Sequence, residues 1–392
     1  MSNPEGKNCE KSAPGHGELF RAFFKIGLTA FGGPAMINHI RELVVDRKGW
    51  LSETTFKDGI AICQTLPGAI VVNMAAYAGY RCRGISGMLL SFVGFSLPAF
   101  GLMVLLSVIY QASRALPAVE AIFSGLGVVV VSIVAYATFT FGQKSLKSLP
   151  DYGLAILASL LLLVKLNPFL VILTGGLLGL LLFRLQPGEY LSEDQHRRGS
   201  YQDAVILLTL FLLGLGFLWL VRRDLFDLAW VMAKIELFAF GGGYTAITLM
   251  FHEVVEVRSW MDNQTLLDGV ALGQLTPGPI LNTSTFIGFL VSGFAGAVAA
   301  TLGIFFPGLI MVAAILPIFD RLRSSAFFPR IIRGIIACFV GLLLYVTIKF
   351  GAAISWDPKH LALLLIALAA LYKKVDLFIV VAGAGLISYF FF

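Results

Sequence analysis

The chain has 392 residues, of which 58% are hydrophobic and 13% charged, against about 25% charged in ordinary soluble domains. One soluble core could not hide so much apolar surface, so the composition excludes an ordinary globule and points to a bilayer. The formal net charge of +6 does not imply nucleic acid, because Lys and Arg gather in short clusters between apolar stretches, where the positive-inside bias places them.

In chain order, Met1 to Leu19 is polar and lacks an apolar h-region, which reads as a cytoplasmic tail with no signal peptide. The next segment carries Phe31-Gly32-Gly33-Pro34, where glycines and a proline interrupt one helix and start another. A second segment is broken in the same way by Gln64-Thr65-Leu66-Pro67-Gly68-Ala69. Apolar stretches of bilayer length follow, at Met88–Tyr110 and at Leu154–Leu163 running on through Phe169–Phe183. A polar stretch, Gln186 to Gln202, then leads into one further apolar segment, Ala204–Val221. The chain ends in Leu361–Leu371 and Leu377–Phe392, both apolar.

The segments after Ala204–Val221 repeat those before it. Phe24-Lys25-Ile26-Gly27-Leu28-Thr29-Ala30-Phe31-Gly32-Gly33-Pro34 aligns with Ala233-Lys234-Ile235-Glu236-Leu237-Phe238-Ala239-Phe240-Gly241-Gly242-Gly243 at an offset of 234 − 25 = 209. After one inserted residue Trp50 meets Trp260, Asp58 meets Asp268, Gln64 meets Gln274, and Pro67-Gly68 meets Pro277-Gly278. At the first offset again, Pro98 meets Pro307, Gly125 meets Gly334 and Lys165 meets Lys374. The predicted organisation is a tail at 1–18, a first repeat at 19–186, a polar linker with one connecting helix at 187–227, and a second repeat at 228–392.

A single crossing between two even-numbered halves turns the second upside down. Charge agrees: the first half is cationic at Arg81/Arg83, Lys144/Lys147 and Arg184–Arg198, while the matching loops near Ser292 and Ser355 are almost uncharged. The second half instead places Arg321, Arg323, Arg330 and Arg333 in the loop that matches the one around Arg114. The predicted fold is therefore an all-α polytopic membrane protein. It has two inverted homologous repeats with broken or re-entrant helices, about 13 hydrophobic segments, a cytoplasmic N-terminus and an external C-terminus.

Broken helices inside a membrane are tolerated where their freed backbone groups line a cavity or meet protein. Their new N-termini present unpaired N–H groups and a positive dipole end, which suits an anion. The candidate binding groups are Gly32, Gly33, Pro67, Gly68, Gly241, Gly242, Gly243, Pro277 and Gly278 at the breaks. Gln64, Thr65, Asn73, Gln274, Thr276 and Asn282 beside them supply neutral donors or else cap and cross-link helices. Lys25 and Lys234, at matching positions two turns before the breaks, either face an aqueous cavity or snorkel to the interface. Asp58, Asp268 and Glu236 are candidates for proton coupling, and Asp58 and Asp268 suit helix starts equally.

Other chemistry finds no support. Cys9, Cys63, Cys82 and Cys338 are scattered without a paired motif, the five histidines form no HExxH, and no GxxxxGK[ST] is present. A membrane-embedded enzyme acting on lipid phosphates would call for arginine near the Pro-Gly turns, where only apolar residues follow.

At these residues the sequence resembles the chromate ion transporter family in its long, two-domain form. Lys25-Ile26-Gly27 with Phe31-Gly32-Gly33-Pro34 looks like its first-half signature. Phe240-Gly241-Gly242-Gly243-Tyr244 and Gly273-Gln274-Leu275-Thr276-Pro277-Gly278-Pro279-Ile280 look like its second. One departure lies between the copies, where Thr65 and Thr276 are out of register by one residue. The resemblance implies an inner-membrane secondary carrier that exports chromate and confers chromate resistance, with sulfate as analogue and competitor. The implied partners are a chromate-like or sulfate-like oxyanion and the lipid bilayer, with no nucleic acid, cofactor or metal, and with room for a homodimer. An anion channel is the alternative.

Overall fold

The computed structural model describes residues 14–29, 35–183, 200–319, 325 and 327–391, and every regular element among them is helical. The first half runs α1 (His16–Thr29), α2 (Ala35–Arg41) with a π-helical continuation Glu42–Arg47, α3 (Glu53–Thr65), α4 (Ile70–Ser113), α5 (Pro117–Ser145), α6 (Leu149–Leu163) and α7 (Pro168–Leu182). After α8 (Tyr201–Val221) the same series returns. It comprises α9 (Arg223–Phe238), α10 (Gly243–Met250) with π-helical Phe251–Val257, α11 (Asn263–Leu275), α12 (Thr283–Ile315), α13 (Phe328–Ala353), α14 (Pro358–Tyr372) and α15 (Leu377–Phe391).

Local chemistry sets the helix starts in both copies alike. The Ser52 hydroxyl accepts from the Thr55 N–H at 3.1 Å and caps α3, and Asp262 accepts from Thr265 N–H at 2.7 Å and caps α11. Even the irregular backbone repeats. Arg83 (φ −145°) and Gly84 (φ 65°) interrupt α4 as Ser292 (φ −143°) and Gly293 (φ 61°) interrupt α12. A Cβ on Gly84 or Gly293 would meet nothing within 4 Å, so the left-handed φ and not space selects glycine there.

Those interruptions are reversals. The Thr285 and Thr301 hydroxyls lie 2.7 Å apart, whereas residues that far along a straight helix stand about 24 Å apart. In α4 a Cβ on Gly79 would strike the Gly87 carbonyl, and one on Gly87 would strike that of Gly79. Each long helix is thus a hairpin, with limbs at 70–82 and 85–113 in α4 and at 283–291 and 294–315 in α12.

The segments before them fold back as well. The Tyr77 hydroxyl donates to the Thr55 carbonyl at 2.9 Å, and its ring closes on Gly59. α3 and the first limb of α4 therefore form a re-entrant hairpin whose tip is Leu66–Ala69. In the second copy the Phe286 ring covers Gly269 in the same way. Likewise Lys234 Nζ reaches Glu253 at 2.5 Å, laying α9 beside the π-helical end of α10 with Ala239–Gly242 at the tip. The two Pro-Gly segments and the α9–α10 segment therefore all turn back on themselves.

The two halves are inverted. Near the start of α13, Arg333 bonds Asp151 just past the end of α5, Nη2 to Oδ2 at 2.8 Å. Near the start of α5, Ser124 Oγ lies 3.0 Å from Nε2 of His360, just past the end of α13. The two contacts are equivalent, since 333 − 124 = 209 and 360 − 151 = 209. α5 and α13 run antiparallel, and both are long and apolar enough to cross a membrane. α4 and α12 also cross antiparallel, with Phe92 on Phe305 and Phe100 on Phe294.

Five helices among the described residues are long and apolar enough to span a bilayer, and four shorter ones are apolar. The expectation of about 13 segments divides the chain differently, because hydropathy cannot distinguish a hairpin limb from half of a spanning helix. In α8 only 17% of the spanning window is buried, against 39–67% in the other four, so this connector faces outward. Its exposed Leu213, Phe217 and Leu220 suit lipid.

Candidate functional site

Three of the four breaks converge. At the tip of the first α3–α4 hairpin, the Gly68 N–H donates to the Ala239 carbonyl at 2.8 Å. That carbonyl belongs to the break between α9 and α10. On the same break, a Cβ at Gly243 would strike Ile280 at the tip of the α11–α12 hairpin. Gly68 (φ 92°) and Gly278 (φ 105°) take the left-handed conformation at equivalent tips, as do Gly241 (φ 87°) and Gly242 (φ 101°) at theirs. The fourth break, at Gly32 and Gly33, lies outside the described residues.

The two Pro-Gly tips share a framework. Asn73 Nδ2 donates to the Pro67 carbonyl at 3.3 Å, and Asn282 Nδ2 to the Pro277 carbonyl at 3.3 Å. Both Asn side chains are buried and tie the tip to the helix that follows. Thr65 and Thr276 donate to the carbonyls of Ile62 and Gly273 at 2.8 and 2.9 Å, so each hydroxyl proton is already used within its own helix.

Their surroundings differ in sign. At the first tip the buried Glu236 carboxylate sits on the backbone, with Oε1 accepting from the Ala69 N–H at 3.4 Å. Glu236 Oε2 and Asn73 Oδ1 have no hydrogen-bond partner. This tip holds unpaired acceptors. At the second tip Gln274 Nε2 and Ser284 Oγ are buried without partners, and the equivalent of Glu236 is Gly27, which has no carboxylate. This tip holds an unpaired donor. Gln64 is exposed where Gln274 is half-buried.

The lysines are also unlike. Lys234 is fixed between Glu253 at 2.5 Å and the face of Phe169 at 4.4 Å, and Arg258 reaches the same carboxylate at 3.7 Å. Lys25 is exposed on α1. Asp268 is buried, accepting from Tyr110 at 2.8 Å and Gln264 at 2.9 Å, and Asp58 is half-buried on α3. Tyr110, Phe169, Ala239 and Gly308 join the site without having been singled out from sequence. Gly308 was the one with a readable signal. The repeat offset sets it opposite Ala99, just as Glu236 is set opposite Gly27.

Two interleaved inverted repeats with re-entrant tips meeting inside apolar helices define a multi-pass membrane protein of the transporter class. The chain belongs to the chromate transporter family, whose model, described as "Chromate transporter", matches residues 17–180 and 226–389. It is 37% identical over 393 residues to an uncharacterized transporter of Methanocaldococcus jannaschii, covering 99% of this chain and 97% of that one. It is 30% identical to a chromate transport protein of Pseudomonas aeruginosa, covering 96% and 92%, and 27% identical to a probable chromate transport protein of Synechococcus elongatus, covering 91% and 90%. No solved structure matches the chain.

Proposed function

We propose that the protein is a secondary carrier of small oxyanions that exports chromate, takes sulfate as an analogue, and works by alternating access around its re-entrant tips. The observation that carries this reading is the meeting of Gly68, Ala239, Gly243 and Ile280, which brings three helix breaks to one place. Backbone N–H groups at such breaks suit an anion. Gln274 Nε2, buried and unbonded, is the side-chain donor best placed to receive it. Lys25, Gly32, Gly33, Gln64, Thr65, Pro67, Gly68, Asn73, Lys234, Gly241, Gly242, Gly243, Thr276, Pro277, Gly278 and Asn282 complete the proposed surroundings of the substrate. The inverted repeat supports alternating access, since two copies with exchanged surroundings can exchange conformations. The relatives that carry the word chromate in their names support the choice of anion. We place the protein in the inner membrane, with its N-terminus cytoplasmic and its C-terminus external.

The test is counterflow of labelled sulfate and chromate in proteoliposomes. Saturable counterflow, with each anion competing against the other, is the expected result. Flux without counterflow would indicate a channel, and phosphatase activity of the purified protein would indicate an enzyme.

A further inference from the structure

We infer that Glu236 is the proton acceptor of this carrier, taking up one proton for each oxyanion bound. The inference rests on the oxyanion-carrier reading and deepens it by naming the coupled ion and its residue.

The carboxylate occupies a place that an oxyanion would otherwise fill. Its Oε1 accepts from Ala69 at the N-terminus of α4, whose first limb has full helical length. Two buried oxygens beside it, Glu236 Oε2 and Asn73 Oδ1, lack a donor. Both residues are 1% exposed. A methyl on Gly308 would lie 2.5 Å from Asn73 Oδ1 and 3.1 Å from Glu236 Oε1, so the two side chains flank one small space. A single proton on the carboxyl would turn one of its oxygens from an acceptor into a donor. Buried acceptors without donors are costly, and satisfying one removes that cost.

Among the described residues, no cation performs this task. α12 carries no ionisable residue along its whole length, and it presents Gly308 here. The first limb of α4 presents Asn73, while its Tyr77, Tyr80 and Arg81 bond elsewhere, to Thr55, Asp203 and Tyr77. On α9 itself, Lys234 is held by Glu253, while Arg223 over the Trp219 ring, Asp224 paired with the preceding Arg222, and Asp227 belong to the first half of the helix. On α10 and its continuation, His252 pairs with Glu256, and Tyr244 is the remaining ionisable group besides Glu253.

The repeat shows that the arrangement is specific to one tip. Glu236 has Gly27 as its equivalent and Gly308 has Ala99, at the common offset of 236 − 27 = 209 and 308 − 99 = 209. A side chain on Gly27 would strike the Phe95 carbonyl, and Ala99 fills space against Gly278. One tip exchanged a methyl for room and gained a carboxylate. The other kept the methyl and has none.

The sign of coupling follows from charge. An oxyanion arriving at the joined tips disfavours a bare carboxylate nearby, so binding draws in a proton, and by linkage acid tightens oxyanion binding. A dianion moving with one proton still carries one net negative charge, so a negative cell interior drives it outward.

Sulfate binding to purified protein, followed calorimetrically across pH in buffers of different ionisation enthalpy, tests this. Sulfate stays a dianion over the range, so any proton taken up belongs to the protein. At pH values where the substrate-free carboxyl is ionised, the parent is expected to take up about one proton per sulfate, its affinity rising up to about tenfold per unit fall in pH. Glu236→Gln is expected to take up none and to bind with a pH-independent affinity, and Glu236→Asp to restore the uptake. Parent protein that binds sulfate without proton uptake at every pH overturns the inference, as does Glu236→Gln that retains it. If the parent binds neither sulfate nor chromate at any pH, it is the oxyanion reading that falls. The parent measurement decides the matter even if a variant does not fold.

Discussion

Thr138 and Thr347 are separated by 209 residues, the offset of the repeat, and their hydroxyl oxygens lie 3.2 Å apart. Each is the other's equivalent, so the contact lies on the pseudo-twofold axis. It stands where α5 and α13 cross antiparallel, with Arg333–Asp151 toward one end and Ser124–His360 toward the other. An axis that reverses two membrane-spanning helices lies in the membrane plane, the symmetry of inverted-repeat carriers.

This geometry predicts sidedness. In a background lacking Cys9, single cysteines at Lys147 and Arg330 should label from one side of the membrane, and cysteines at Glu120 and Lys359 from the other. Cys63, Cys82 and Cys338 are buried and should contribute little background. Labelling of Lys147 and Arg330 positions from opposite sides would contradict an antiparallel α5 and α13.

Asp151 should prove a structural anchor between the halves. Its side chain is fully buried and receives two guanidinium bonds from Arg333, at 2.9 and 2.8 Å, besides capping α6 through Ser148. Because Arg333 is 30% exposed, Asp151→Asn should cost about 2 kcal/mol, below the figure for a wholly buried pair. Adding Arg333→Leu should recover part of that loss in a thermal double-mutant cycle. Strictly additive losses would show that the two do not interact.

The packing of α7 on α13 should tolerate no side chain at Gly334. A Cβ there would lie 2.8 Å from Gly179 Cα and would also meet the Gly175 carbonyl. Gly334→Val should lower the thermal midpoint and the yield of monodisperse protein, with overpacking of about 1–3 kcal/mol or more. Gly101→Ala, where a Cβ meets nothing within 4 Å inside a helix, should be neutral or slightly stabilising. Equal behaviour of the two variants would contradict this packing.

The lysines should separate in a stability assay. Lys234→Ala leaves the buried Glu253, 3% exposed, with only the more distant Arg258. It should destabilise by about 2 kcal/mol, and Glu253→Gln in that background should recover part of the loss. Lys25→Ala on the exposed face of α1 should leave the thermal midpoint unchanged. Chromate accumulation in cells tests the binding role: if both single variants exclude chromate as well as the parent, neither lysine contacts substrate.

Much of the architecture was legible in residue order alone. The offset of 209 and the near-absence of charge over bilayer lengths identify a two-repeat membrane protein, because hydropathy and helix-breaking glycine and proline act locally. Residue order also marks where helices end, at Pro67-Gly68 and Phe240-Gly241-Gly242. It does not say in which direction the chain leaves, since a hairpin limb and half a spanning helix have the same composition. That direction is decided by contacts between distant residues, such as Tyr77 with Thr55 and Thr285 with Thr301. Tertiary packing likewise decides that Lys234 is paired and Lys25 exposed, and that Glu236 from the second repeat stands on the backbone of the first. Electrostatic partners are chosen by where the halves interleave, and interleaving is a property of the folded surfaces and not of any stretch of chain.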